Sequence, residues 1–291
     1  MISRPLAAAV LGLCGLGSVA CGGAGASNGA ASGPETSGAS AAPAASAADT
    51  RTAPATPGSP TSRTASASSA RTRPLAGKVV VIDPGHNGGN WRHPEIINKQ
   101  VNILTQRKAC DTTGTSTNDG YSESAFTWDV SNRLVKLLKA QGATVKLTRQ
   151  NNTGAGPCII ERAAIGNRAH ADAAISVHAD GAASSAHGFH IIMPKKIGGP
   201  VDPVVNSSRR LGITIRDAFH SGTGLPYSTY IGRSALNYRS DLGGLNLSTV
   251  PKIFIECGNM RNAAEAGKFK DPAFRQRIAA SLAKGIERYL G

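Results

Sequence analysis

Three short apolar runs constrain this chain most, because each is too short for a helix and each stops at a side chain with chemistry. They are Val79-Val80-Val81-Ile82, Ala173-Ala174-Ile175-Ser176-Val177 and Ile253-Phe254-Ile255. Short runs rich in β-branched residues and bounded by turn signals are the pattern of strands buried on both faces. The first is closed by Asp83-Pro84-Gly85 and followed by His86, the second leads into His178, and the third leads into Glu256. Helical patterns alternate with them. Ser122 is a helix cap with Glu123 in the first turn, and Phe126, Val130, Leu134 and Leu137 form one stripe up to Gln141-Gly142. Further helices are expected over Cys158 to Ala169, Pro203 to Phe219 and Asp271 to Leu290, and further strands over Thr144 to Thr148 and Gly188 to Met193. This alternation predicts a single α/β domain with a mostly parallel, doubly wound sheet and helices on both faces. The stretch from His86 to Ser122 is long for a connection, so it either carries structure of its own, such as a hairpin, or shapes a site.

In a parallel sheet the carboxyl ends of the strands share one edge, where α/β folds bind ligands. His86, His178, Glu256 and Glu123 are therefore expected in one cleft. Two neutral imidazoles and one carboxylate around an open position are the donor set of a catalytic zinc site. Zinc lowers the pKa of a bound water to about 7. A further carboxylate that is not a ligand must then carry the proton. On spacing alone either Glu123 or Glu256 could be that group.

Composition fixes where this domain begins. Up to Arg73 the chain is almost entirely Ala, Ser, Thr, Gly and Pro, without periodic apolar residues, and cannot offset the entropy of ordering. Residues 1–20 read as an export signal, with Arg4 ahead of an apolar run from Pro5 to Val19 that is short for a membrane span. Ser18-Val19-Ala20 before Cys21 suggests lipid attachment at Cys21, with simple cleavage after Ala20 as the alternative, since lipoprotein signals usually carry Leu where Ser18 stands. Residues 21–73 are then a disordered tether and residues 74–291 the catalytic domain of an exported, extracytoplasmic protein at the cell wall or the outer membrane face. Of the remaining cysteines, Cys110 and Cys158 lie in Gly/Thr/Asn-rich stretches and are expected to form a disulfide. Cys257 ends an apolar strand and is expected to be a buried thiol, not a nucleophile.

The net charge of +14 is carried mostly by the folded part, with 27 Lys and Arg against 16 Asp and Glu from Pro74 onward. This favours an anionic partner, for an exported protein a wall polymer or membrane surface. Nucleic acid is not expected, as no aromatic-interleaved basic motif or zinc finger is present.

The motifs resemble the zinc-dependent N-acetylmuramoyl-L-alanine amidase family of bacterial autolysins. The resemblance rests on Val81-Ile82-Asp83-Pro84-Gly85-His86, on Glu123 opening a helix before Gly142-Ala143-Thr144-Val145-Lys146-Leu147-Thr148-Arg149, on Ile175-Ser176-Val177-His178-Ala179-Asp180, and on Ile253-Phe254-Ile255-Glu256-Cys257-Gly258-Asn259-Met260. It implies one Zn2+ bound by His86, Glu123 and His178, with Glu256 as general acid/base, cutting the amide between N-acetylmuramic acid and L-alanine in peptidoglycan. Alternatives are a zinc peptidase cutting within the stem peptide, or a non-catalytic wall-binding or regulatory protein on an amidase scaffold. The chain departs from the usual DPGHGG wording at Asn87, and Glu95 is a rival ligand set aside because it sits between loop signals. Arg233, Ser234 and Asp241 are candidates for the border of a substrate groove. His187 and His190 are expected to face opposite sides of a strand in structural or surface roles, and Arg162 to be solvated or ion-paired. Asp83 is read as a turn residue or a partner orienting His86. A monomer is the default.

Overall fold

The computed structural model describes residues 73–291; the export signal, Cys21 and the tether lie outside the described residues. In chain order the elements are β1 (Val79–Pro84), α1 (Pro94–Ile97), the strands β2 (Gln100–Asn102) and β3 (Arg107–Ala109), α2 (Glu123–Ala140), β4 (Thr144–Leu147) and α3 (Ile159–Arg168). Then follow β5 (Ala173–Asp180), β6 (His190–Pro194), α4 (Val205–Thr223), β7 (Leu236–Arg239), α5 (Gly243–Asn246), β8 (Lys252–Asn259), α6 (Ala263–Lys270) and α7 (Pro272–Leu290). No helix among the described residues is long and apolar enough to cross a membrane.

The six-stranded sheet has the order β4-β1-β5-β8-β6-β7. Strands β4, β1, β5 and β8 are parallel, while β6 lies antiparallel to β8 and β7 parallel to β6. The expected mostly parallel sheet is thus present, with a reversed pair at one side that the apolar runs alone do not reveal. Alternation along the central strands decides the two faces. Val80, Ile82, Ile175, Val177, Ile253 and Ile255 enter the main core under α2, α4 and α7. Val81 and Ala174 point to the other face, toward Ile165 of α3. On that second face the strand positions nearer the carboxyl edge are Asp83, Ser176 and Phe254, so the core there gives way to polar groups.

Ser122 caps α2 by accepting the Ala125 N–H. Its buried stripe is Phe126, Val130, Leu134 and Leu138, with Leu138 in the place expected for Leu137. The long connection after His86 does carry structure of its own, including the antiparallel β2–β3 hairpin. The Gly-rich stretch after Arg233 also contains a strand, β7, which gives no strong signal because only four residues pair and none is fully buried.

Candidate active site

His86 leaves β1 with φ of +57°, a left-handed backbone that costs an ordinary L-residue about 1–2 kcal/mol. Two buried guanidinium groups hold the turn that imposes it. Arg162 donates to the carbonyls of Pro84 (2.7 Å) and His86 (3.0 Å) and pairs with Asp83 (2.8 Å) and Asp111 (2.9 Å). Burial opposes its charge, but Asp83 and Asp111 outweigh it and raise the pKa of Arg162. Arg149 donates to the carbonyls of Pro84 (3.0 Å) and Ser124 (3.1 Å), tying the turn to the first turn of α2. Asp83 also accepts from Thr148 (2.6 Å), Ser176 (2.9 Å) and Lys252 (3.1 Å). Burial would favour its neutral acid, yet Lys252 and Arg162 hold it well below the usual carboxylate range. Asp83 therefore anchors the turn, and it reaches His86 only through Arg162. Asn87, which interrupts the family wording, is buried and donates to the Gly156 carbonyl (2.9 Å), fastening the turn to the loop before α3.

The imidazole of His86 is set by Thr112, whose carbonyl lies 3.0 Å from Nδ1, with Asp111 at 3.6 Å. That carbonyl accepts the Nδ1 proton and leaves the Nε2 lone pair free, the arrangement usual for ligating histidines. Nε2 lies 3.2 Å from Glu123 Oε2, and Glu123 Oε1 lies 2.9 Å from His178 Nδ1. One donor atom from each of the three residues falls within 4.8 Å of the others. Bonds of 2.0–2.1 Å in a tetrahedron put neighbouring ligand atoms about 3.3 Å apart, so these spacings fit zinc. Glu123 is fixed by the N–H groups of Ala179 (3.2 Å) and Thr115 (3.0 Å). Burial works against its charge, but His86 and His178 keep it far below an ordinary glutamate. Burial likewise opposes charging His86, yet Glu123 and Asp111 raise it to about 10. A buried site that draws positive charge so strongly suits a divalent cation. Glu95, the rival, is exposed and pairs with His93.

His178 is supported from both sides, by Phe254 stacked at 5.2 Å and by Gly85. A Cβ on Gly85 would lie 2.3 Å from the ring, so this glycine is there for space. Gly85→Ala is expected to leave the fold intact but weaken metal retention about 10–100-fold, measured by metal content after dialysis against a graded chelator.

Glu256 stands beside His178 on β8, directly in register with it. It is half-buried, and its enclosed Oε2 has no hydrogen-bond partner among the described residues. Burial, Asp180 and Glu123 push its carboxyl well above the usual range. A carboxyl without a fixed partner, beside the metal donors, suits proton transfer. Asp180 accepts the Tyr230 hydroxyl (2.8 Å).

The cleft runs along the sheet to either side of the histidines. Asp180, Arg239, Leu242 and Glu256 line one part, and Lys108, Ala109, Ile159, Asp241 and Gly244 line a cavity of about 170 Å3 on the other. Asp241 borders this cavity, paired to Arg239 (2.6 Å). Arg233 and Ser234 are not among the residues lining it; they sit in an exposed turn before β7, two strands or about 10 Å from β8. His187 and His190 stay out of the cluster, and burial pushes the His190 pKa down to about 4. Cys257 is fully buried, and Cys110 and Cys158 are neighbouring thiols here, with burial and the Cys158 contact pushing Cys110 up to about 12. Thr112, Asp111, Tyr230 and Arg239 were not singled out from sequence. Thr112 and Asp111 carried only loop signals, and Arg239 only its place in a short strand.

A family model described as N-acetylmuramoyl-L-alanine amidase matches residues 80–288. The N-acetylmuramoyl-L-alanine amidase Rv3717 of Mycobacterium tuberculosis is 40% identical over 221 residues, covering 74% of this chain and 88% of its own. Among solved structures, the N-acetylmuramyl-L-alanine amidase Ami1 of Mycobacterium smegmatis is 38% identical with a TM-score of 0.70, over 75% of this chain and 98% of its own. The apo form of Ami1 from Mycobacterium abscessus is 39% identical with a TM-score of 0.69, over 75% and 100%.

Proposed function

The chain belongs to the N-acetylmuramoyl-L-alanine amidase family and is an amidase of peptidoglycan, and from that premise we propose that it cuts the amide between the lactyl group of N-acetylmuramic acid and L-alanine with one zinc ion held by His86, Glu123 and His178. The observation that carries this reading is the meeting of those three donors with the unpartnered Glu256 in one cleft. When bound, zinc supplies a water of pKa about 7 and polarises the scissile carbonyl. The Thr112 carbonyl holds His86 in one tautomer, and the Ala179 and Thr115 N–H groups hold the Glu123 carboxylate in place. Glu256 accepts the proton of the attacking water at its free oxygen and returns it to the leaving alanine nitrogen, so the amine departs neutral.

Mass spectra of purified muropeptides after digestion test the bond assignment. The expected products are the intact stem peptide with a free L-alanine amino group and the peptide-free glycan. Fragments cut between stem-peptide residues would mean the zinc peptidase alternative instead, and no products from a metal-loaded protein would mean the non-catalytic one.

The substrate places the domain outside the cytoplasm, and the signal at residues 1–20, with lipid attachment at Cys21, supplies the route. A monomer suffices, since all four chemical groups come from one chain. In that oxidising compartment Cys110 and Cys158 are expected to join, their thiols already being adjacent. Peptide mapping of the secreted protein without reductant should return the two peptides linked; both thiols alkylated as free would remove the bridge.

A further inference from the structure

The edge of the sheet opposite the cleft carries charge that the amidase chemistry does not use. Lys78 precedes β1 and Asp172 precedes β5, both at the amino ends of their strands; with Arg210, Thr214, Arg288 and Tyr289 they line a groove of about 350 Å3. His178 lies six residue steps along β5 from Asp172, so this groove and the metal cluster lie about 20 Å apart along the strand. Arg209, Arg210 and Arg288 are exposed. The two carboxylates nearby are already engaged. Asp172 accepts the Val79 N–H (2.7 Å), and Glu287 accepts from Gln141 (3.1 Å) and Lys284 (2.9 Å). Helix capping accounts for Arg288, in the last turn of α7, where a cation complements the dipole. It does not account for Arg209 and Arg210, which lie near the positive end of α4.

A second observation says what such a face would meet. Arg73, where the described chain begins, packs beside Gly142 ahead of β4, at this same edge. The chain therefore enters the domain on the cationic side, and the cleft opens on the other.

We propose that this amino-terminal edge is a docking face for an anionic lipid bilayer, with Lys78, Arg210 and Arg288 as its main contacts and Arg73 and Arg209 beside them. The proposal rests on the extracytoplasmic reading above, not on the bond cleaved. Docked this way, the domain turns Glu256 and the metal ligands away from the lipid and toward the wall, which a lipid anchor alone does not achieve because it fixes distance without orientation.

The test uses residues 21–291 carrying Cys21→Ser, so that neither the signal nor an acyl group contributes, and sedimentation with vesicles of phosphatidylcholine alone or containing about a third phosphatidylglycerol. Binding is expected only to the anionic vesicles and should be lost when salt is raised to about 0.5 M. Each cation near such a surface is worth about fivefold, so Lys78→Gln/Arg210→Gln/Arg288→Gln should weaken binding roughly a hundredfold while leaving muropeptide hydrolysis in solution unchanged. Equal sedimentation of parent and triple variant, equal binding to neutral vesicles, or a triple variant that loses binding only to an anionic wall polymer would each overturn it. Failure of muropeptide hydrolysis in parent and variant alike would count against the amidase assignment and leave the vesicle result to stand.

Discussion

Glu256→Gln is expected to lower kcat on muropeptides by about 10²–10⁴-fold while zinc content stays at the parent level. The amide keeps the shape of the side chain but cannot take up and return a proton. Oε2 of Glu256 has no hydrogen-bond partner to lose, and its neighbours Asp180 and Glu123 repel its charge. The substitution should therefore leave thermal stability unchanged or slightly raised, which separates a chemical defect from a folding one. Product formation by chromatography, metal analysis and a melting curve on the same preparation make the measurement. A variant with near-parental kcat would move the proton transfer to another group.

Arg162→Met is expected to cost about 3–5 kcal/mol of stability, because it leaves buried Asp111 with His86 alone and buried Asp83 with Lys252 alone. The sign of its pH dependence follows from the carboxylates. Both have pKa values held below the ordinary range, so in the parent they contribute stability that is present above about pH 4 and lost as the pH falls further. Without Arg162 those pKa values rise, and protonation relieves the variant. The stability gap between parent and variant should narrow on acidification from neutral pH toward about 4. Urea denaturation across that range reads it directly; a gap below about 1 kcal/mol at neutral pH would mean the pair is no support for the His86 turn.

Most of the fold could be read from the chain because its decisive strands are short, apolar and closed by turn residues, as at Val79–Ile82 before Asp83-Pro84-Gly85. The reversed direction of β6 could not, since a buried apolar run reads the same either way, and β7, four residues of which none is buried, has the composition of a loop. The chemical groups themselves were legible because each sits where a strand ends or a helix begins. Spacing alone did not separate Glu123 from Glu256 as ligand, and the resemblance made the choice; in the fold Glu123 falls between the two imidazoles, while Glu256 lies in the cleft with no hydrogen-bond partner among the described residues. The supports were the least visible. Thr112 acts through its carbonyl, which any residue would supply, and Arg149 and Arg162 bind backbone oxygens and carboxylates far away in sequence.

The most direct test of the central claim is the zinc content of the purified protein, set beside its rate on muropeptides before and after chelation, for the parent and for Glu123→Ala. The parent should hold one zinc per chain, lose activity when stripped and recover it on adding zinc, whereas Glu123→Ala should neither retain the metal nor turn over. A stripped parent that still hydrolyses at its full rate, or a Glu123→Ala protein that keeps both zinc and activity, would contradict the account.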